Sequence, residues 1–348
     1  MARNIAPKSA VWVISTKMYS PRSGKGIRQR TASGHIAGIQ ISMKMMSGCA
    51  VLIVRSNCRM EARTRSLLDV ARARGAVDVV VNTHANGDHC YGNGVVARAF
   101  PQARIVSTTA AALEMPEVPP SLMAWATRAM RVVNVLPGFV GDRVRFGPAT
   151  LHELARYWLD GFARFDFGGI RLHAPTETFD DELHVSVGDV DVHLIELGPA
   201  HTKGDAIAWV PKHRVLFTGD LLFHGGTPIV WAGPLSRWIA ACDRMLALDA
   251  AVVVPGHGPI ANNAALQDVR DYLAFVDAEA RPFVESGVPA FEVARALLSS
   301  ASFVNGPWST WTERERIAVN VDAVARELGK PGKKPFALFA EMAALTRA

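Results

Sequence analysis

Asn82-Thr83-His84-Ala85-Asn86-Gly87-Asp88-His89-Cys90-Tyr91 is the stretch on which the reading of this chain turns. It follows Val77-Asp78-Val79-Val80-Val81, a β-branched run that predicts a buried strand. Two imidazoles and a carboxylate therefore crowd the turn just past a strand end. In α/β sheets that edge is where ligands gather. Upstream, Cys49–Val54 is a second apolar strand, and Met60–Arg74 has helical spacing with Leu67, Leu68, Val70 and Ala71 on its apolar side. Gly75 stops that helix, so strand, helix and strand form a βαβ unit.

Downstream the alternation continues. Arg104–Ser107 predicts a strand and Thr108–Glu114 a short helix. Residues 183–218 hold several strands, with turns at Gly188-Asp189, Gly198-Pro199 and Pro211-Lys212. Trp238–Leu248 predicts a helix, Ala251–Val254 a buried strand, and the chain from Ala265 onward is mostly helical. Of the eleven histidines, several stand at strand ends. His201 follows Leu194–Leu197, Asp220 ends the predicted strand Val215–Thr218, and His257 follows Ala251–Val254 in Pro255-Gly256-His257-Gly258. Any one of these histidines alone reads as an ordinary core or surface residue. Four strand ends presenting imidazole or carboxylate together supply what a metal site needs. Gly87, Gly219, Gly256 and Gly258 permit the tight turns beside it.

The order His84-x-x-x-Asp88-His89, His201, Asp220, His257 strongly resembles the metallo-β-lactamase superfamily over roughly residues 48–262. The resemblance implies an αββα sandwich of two mixed sheets flanked by helices, with metals at one edge. It assigns one metal to His84 and His201, with Asn86 at the position of the expected third ligand, and the other to Asp88, His89 and His257. Asp220 would bridge the two, and a hydroxide held between them would be the nucleophile. Asp88 would also orient or accept a proton. The implied cofactor is zinc, one or two ions, or another divalent metal. Two departures stand out: the family's usual His-x-His-x-Asp-His carries asparagine at position 86, and Arg55 replaces the aspartate common after the preceding strand. Within the superfamily, Asn82–Asn93 together with Gly219–Gly226 looks closest to cyclase-thioesterases of aromatic polyketide pathways. The expected function is a metal-dependent hydrolase of a thioester, ester, lactone or amide. The alternative is a non-hydrolytic metal-dependent cyclase or a degenerate ligand-binding member of the fold, which Asn86 and Arg55 favour.

Residues 115–182 read as a helical insertion, with helical spacing over Ser121–Val133 and Thr150–Phe165. Its aromatic residues pack the helices or line a lid over an apolar or aromatic carbonyl substrate; Trp125, Tyr157 and Trp158 are the candidate contacts. His224, four residues past Asp220, is a candidate catalytic group that would bond a substrate oxygen or support a ligand.

The 348 residues are 49% hydrophobic and 20% charged, which excludes a disordered chain. Residues 1–60 hold ten Lys or Arg and no acid, so the net charge of +6 leaves the remaining chain with 28 basic and 32 acidic groups, a net of −4. A basic tail on a near-neutral body argues against a nucleic-acid partner. No apolar run is long enough to span a bilayer, so no membrane partner is expected. Cys49, Cys58, Cys90 and Cys242, with no C-x-x-C pair, suggest a cytoplasmic protein. The expected division is a basic, poorly ordered segment 1–47, the metal-binding domain 48–262 and a helical C-terminal extension 263–348. Any edge strand upstream of residue 48 is expected at Gly38–Lys44.

Overall fold

Period-two alternation and β-branched runs dominate the sheet-forming segments, and they build two five-stranded sheets. A computed structural model describes residues 10–14, 52–54 and 77–346; of the first two segments only the backbone is described. The predicted helix Met60–Arg74, residue Arg55 and the segment Gly38–Lys44 lie outside the described residues.

The first sheet contains β1 (Ala10–Ile14), β2 (Leu52–Val54), β3 (Val77–Val81), β4 (Arg104–Thr108) and β7 (Glu177–Phe179), in the order β2-β1-β3-β4-β7. All its described pairings are parallel. β1, inside the segment 1–47, lies between β2 and β3, and Val11–Val13 pair with Val79–Val81. Between β4 and β7 the chain forms a small hairpin, β5 (Arg145–Phe146) with β6 (Ala149–Thr150).

The second sheet runs β12-β11-β10-β9-β8 from β8 (Glu182–Val187), β9 (Val190–Glu196), β10 (Ala206–Val210), β11 (Val215–Phe223) and β12 (Val252–His257). It is antiparallel except for β11 with β12, so here the mixed reading holds. Ala206, Ala208 and Val210 of β10 pack between the sheets against Val79, Val81 and Val106. Ile207 and Trp209, pointing the other way, join a second core with the helices Leu235–Ala247 and Asn263–Glu285. The sandwich thus carries helices on its outer face.

The insertion forms helices Pro120–Asn134 and Leu151–Phe162. Thr150 caps the second in a capping box with Glu153, as Thr-x-x-Glu predicts. The two helices pack on the C-terminal helix Pro335–Leu345 through Met130, Leu154, Trp158 and Ala340. Helix Ile317–Glu327 is buried all round over Ile317–Ala325, so it lies inside the helical layer rather than on it.

Candidate metal centre

The edge of the sandwich gathers the side chains that the sequence singles out. β3 ends at Val81, and the next residues are pinned from within. Asn82 donates to the carbonyl of His89 at 2.9 Å, and Asn82 and Asn93 exchange side-chain hydrogen bonds of 3.0 and 2.8 Å. This closes the loop onto a helical turn, Gly87–Cys90, that carries Asp88 and His89. Thr83 Oγ1 stands 3.0 Å from His84 Nδ1 and 3.4 Å from His89 Nδ1. With Thr83 Oγ1 accepting at both Nδ1 atoms, each Nε2 is directed at the site and, in a neutral ring, offers its lone pair there.

His201 stands on the turn between β9 and β10. Buried Asp205 folds that turn by accepting the N–H of Ala200 and of Thr202, at 3.2 and 2.8 Å, and the Thr202 hydroxyl at 2.9 Å. His201 Nδ1 donates to the carbonyl of Ile229 at 2.7 Å, which again frees Nε2. Asp220 does not end its strand, as expected, but lies inside β11, where the pairing with β12 slips on either side of Gly219. Gly219 takes φ +52, and a Cβ there would meet Thr83 Oγ1 at 2.6 Å. This bulge turns the carboxylate of Asp220 into the site. His257 closes β12, its ring stacked 5.0 Å from that of Phe223.

Asp220 is the hub. Its Oδ2 lies 3.1 Å from His257 Nε2, 3.4 Å from His201 Nε2 and 3.6 Å from His84 Nε2, and its Oδ1 lies 3.1 Å from His89 Nε2. Asp88 Oδ2 stands 3.4 Å from His257 and 3.5 Å from His89. Two triads emerge, His84-His201-Asp220 and Asp88-His89-His257, each with its ligand atoms within 4.8 Å of one another. Asn86 joins the first through its amide, 2.8 Å from His201 Nε2.

A cation fits this set. His84 Nε2, His89 Nε2 and Asp220 Oδ1 are buried with no hydrogen-bond partner, although His89 and Asp220 approach to 3.1 Å. Buried polar atoms are rarely left unsatisfied, and here they converge on shared points rather than on one another. The electrostatics agree. Burial holds His84 and His201 below the ordinary imidazole range, so they are neutral ligands. Burial also opposes charge on His89 and His257, but the carboxylates of Asp220 and Asp88 outweigh it and raise them to about 10 and about 9. Burial works against the Asp220 and Asp88 carboxylates, yet the neighbouring imidazoles hold both well below the carboxylate range. The site without metal is thus two carboxylates neutralised by two protonated rings, positions that a cation can take over.

The other candidates stand elsewhere. His224 is in neither triad: its backbone N–H donates to the carbonyl of His257 at 2.8 Å and its ring Nδ1 donates to Pro259 at 3.1 Å, so it braces the His257 turn. Trp158 packs in the insertion core, its indole donating to Thr127 and its ring against Phe162, Phe336 and Phe339. Tyr157 packs beside Phe339 with its hydroxyl 3.5 Å from Met342 Sδ. Trp125 is exposed. Thr83, Asp205 and Phe223 stand in or beside the quoted strings but were given no role from the sequence; Thr202-Lys203-Gly204-Asp205, a capping-type Thr-x-x-Asp string, was the available signal for one of them.

Comparison with known proteins identifies the family. The model of the metallo-beta-lactamase superfamily matches residues 57–257. The chain is 25% identical to the Beta-lactamase-like protein 2 homolog of Caenorhabditis elegans over 155 residues, 44% of this chain and 50% of that one. It is 34% identical to the 2,4-dinitroanisole O-demethylase subunit alpha of Nocardioides sp. over 121 residues, 33% of each chain. It is 32% identical to the hydroxyacylglutathione hydrolase glo2 of Schizosaccharomyces pombe, named as probable, over 102 residues, 28% of this chain and 40% of that one. It therefore spans half or less of these relatives. Among solved structures, a metallo-beta-lactamase family protein of Thermus thermophilus shares the fold at TM-score 0.52 and 17% identity, over 86% of this chain and 92% of that one. The sec-alkylsulfatase of Pseudomonas sp. does so at TM-score 0.56 and 18% identity, over 83% of this chain and 47% of that one. With the family model covering more than half of its length, the chain belongs to the metallo-beta-lactamase superfamily.

Proposed function

We propose that the chain is a zinc-dependent hydrolase of a small carbonyl substrate, a thioester, ester, lactone or amide. The observation that carries this is Asp220, a buried carboxylate within 3.6 Å of four imidazole nitrogens, two of which have no hydrogen-bond partner. His84, His201, Asp220 and Asn86 would hold one ion, and Asp88, His89, His257 and Asp220 the other. Imidazole and carboxylate donors suit zinc. Bound divalent ions supply Lewis acidity and lower the pKa of coordinated water, which carbonyl hydrolysis requires.

The protein's own groups do the rest. Asp88 and His257 are 13% exposed and Asn86 is part-buried, while His84, His89, His201 and Asp220 are buried, so water and substrate reach the site over these three. Asp88 is ionised at neutral pH and can orient the attacking water and accept its proton. Thr83 and the Ile229 carbonyl fix the ring orientations, so little reorganisation is needed. The names of the relatives, a hydroxyacylglutathione hydrolase among them, favour bond cleavage by water. The free buried thiols of Cys90 and Cys242 fit a reducing compartment such as the cytoplasm. A metal-dependent cyclase on the same site is the second reading, favoured by asparagine at position 86.

Elemental analysis of the purified chain, followed by a panel of thioesters, lactones and esters, tests the proposal. Zinc bound to wild type and lost in Asp220→Ala, with turnover lost in parallel, is the expected result. No metal after zinc soaking, or undiminished turnover in Asp220→Ala, overturns it. Cyclised rather than hydrolysed product selects the second reading.

A further inference from the structure

Nine of the thirteen exposed large hydrophobic residues described fall between residues 113 and 146, eight of them on the insertion. Helix Pro120–Asn134 buries Ala126, Thr127 and Met130 on the insertion core. Its opposite side carries Leu122, Trp125, Arg128 and Val132, which continue beyond the helix into Val135 and Phe139. Trp125, Val132, Val135 and Phe139 are 67%, 63%, 77% and 70% exposed. Single exposed apolar residues need no explanation, but a stripe of this kind marks an interaction face.

The charge around the stripe is mostly positive, with Asp142 an exposed acid beside it. Arg128, Arg131, Arg143 and Arg145 are all exposed. Arg131 donates to the carbonyl of Ala163 and Arg145 to that of Pro148. The acidic residues of the segment are engaged elsewhere: Glu114 accepts the Lys203 N–H, Glu117 pairs with the Lys203 ammonium at 2.5 Å, and Asp142 pairs with His152 at 2.8 Å. A second copy placed on this face would set four arginines against four. Residues 1–60, with ten basic groups and no acid, are repelled in the same way. The occupant must be apolar at its centre and negative at its surface.

We propose that the outer face of helix Pro120–Asn134, with residues 135–146 beyond it, binds the surface of an anionic lipid bilayer. Trp125, Val132, Val135 and Phe139 enter the headgroup boundary, and the arginines meet the lipid phosphates. The expectation of no membrane partner rested on spanning segments. Among the described residues no helix is long and apolar enough to cross a membrane, but surface attachment requires none. This inference is independent of the metal chemistry.

Flotation of the full chain with vesicles tests it. We expect partition onto phosphatidylcholine vesicles containing about one-third phosphatidylglycerol, weakening as salt rises, and none onto phosphatidylcholine alone. Trp125→Ser with Val132→Ser, and Arg128→Glu with Arg143→Glu, should each lower partition about ten-fold or more, with circular dichroism unchanged. The exposed Lys330→Glu, outside this face, should not. Three results overturn the proposal: no partition onto anionic vesicles; equal partition by all variants, which would place the attraction elsewhere; or a dimer in solution that Trp125→Ser dissociates, which would make a second copy the occupant. Capture of an acidic protein by this face, without vesicle binding, overturns it equally.

Discussion

The side-chain amide of Asn86 stands 2.8 Å from Nε2 of His201, at the place where the family pattern carries an imidazole. A half-turn of the amide exchanges its two ends and presents Oδ1 to an ion in the first triad. A neutral amide oxygen is a weaker donor to zinc than imidazole, so the first site should be the weaker of the two. Asn86→His should raise first-site affinity about ten-fold or more, and Asn86→Ala should lower it. Titration of metal-free protein against a chromophoric chelator measures both. An Asn86→Ala variant that binds two ions as tightly as wild type removes Asn86 from the ligand set.

Gly256 and Asp220 are coupled by close approach. A Cβ at position 256 would stand 2.0 Å from Asp220 Oδ1, and the backbone of Gly219 blocks any retreat at 2.7 Å. Gly256→Ala must therefore push the Asp220 carboxylate out of place. We expect loss of both ions and a fall in turnover of about a thousand-fold, with a stability cost of about 1–3 kcal/mol. Elemental analysis and thermal unfolding check this. Normal metal content in Gly256→Ala would contradict the hub role of Asp220.

The charge balance of the site makes its metal affinity pH-dependent. His89 and His257, raised to about 10 and about 9, carry protons at neutral pH when no metal is present. Ligation requires neutral rings, so loading both sites at pH 7 should release about two protons per chain, and affinity should fall as pH falls. Calorimetry in buffers of different ionisation enthalpy counts the protons. The metal-free protein has its own signature. Both rings sit above their unfolded value of about 6.5, so the stability they contribute is whole below that pH and is lost as pH rises through about 9 to 10. The urea midpoint of chelator-treated protein should drop over that interval, and Asp220→Asn should flatten the drop.

The candidate ligands were legible because each sits on a short local string. His84, Asp88 and His89 share one turn after a β-branched strand, and His201 and His257 each follow an apolar run. Strand ends mark where the chain leaves the sheet, so residue type and position together place these groups on one edge. What was hidden depends on context that spacing does not carry. Ala10–Ile14 reads as a fragment of a basic tail, yet its backbone pairs between β2 and β3. The strand through Asp220 runs on to Phe223 because the Gly219 bulge keeps the pairing with β12, where glycine and aspartate read as a turn. Trp158 belongs to a core completed by Phe336 and Phe339, from the far end of the chain; packing of the insertion helices was one of its two readings, but these partners were not visible locally.

Asn320 shows how far that hidden layer extends. It is fully buried in helix Ile317–Glu327 and grips the loop that orients His201. Its Oδ1 accepts the Val230 N–H at 3.0 Å and its Nδ2 donates to the Pro228 carbonyl at 3.0 Å, on either side of the Ile229 carbonyl that receives His201 Nδ1. Arg326 ties down the same loop by donating to the carbonyls of Ala232 and Val230 at 2.6 and 3.1 Å. Asn320→Ala leaves buried loop groups unpaired, which costs about 1–3 kcal/mol of stability. It also frees Ile229 to drift and so loosens the His201 ring. Loss of such a supporting contact typically lowers metal affinity about 10–100-fold. The loss should fall on the triad of His84, His201 and Asp220 and spare Asp88, His89 and His257, so titration with zinc should show one weakened and one unchanged step. Equal weakening of both steps would reduce Asn320 to a general packing residue. An unchanged first step would mean that the loop holds His201 without help from helix Ile317–Glu327.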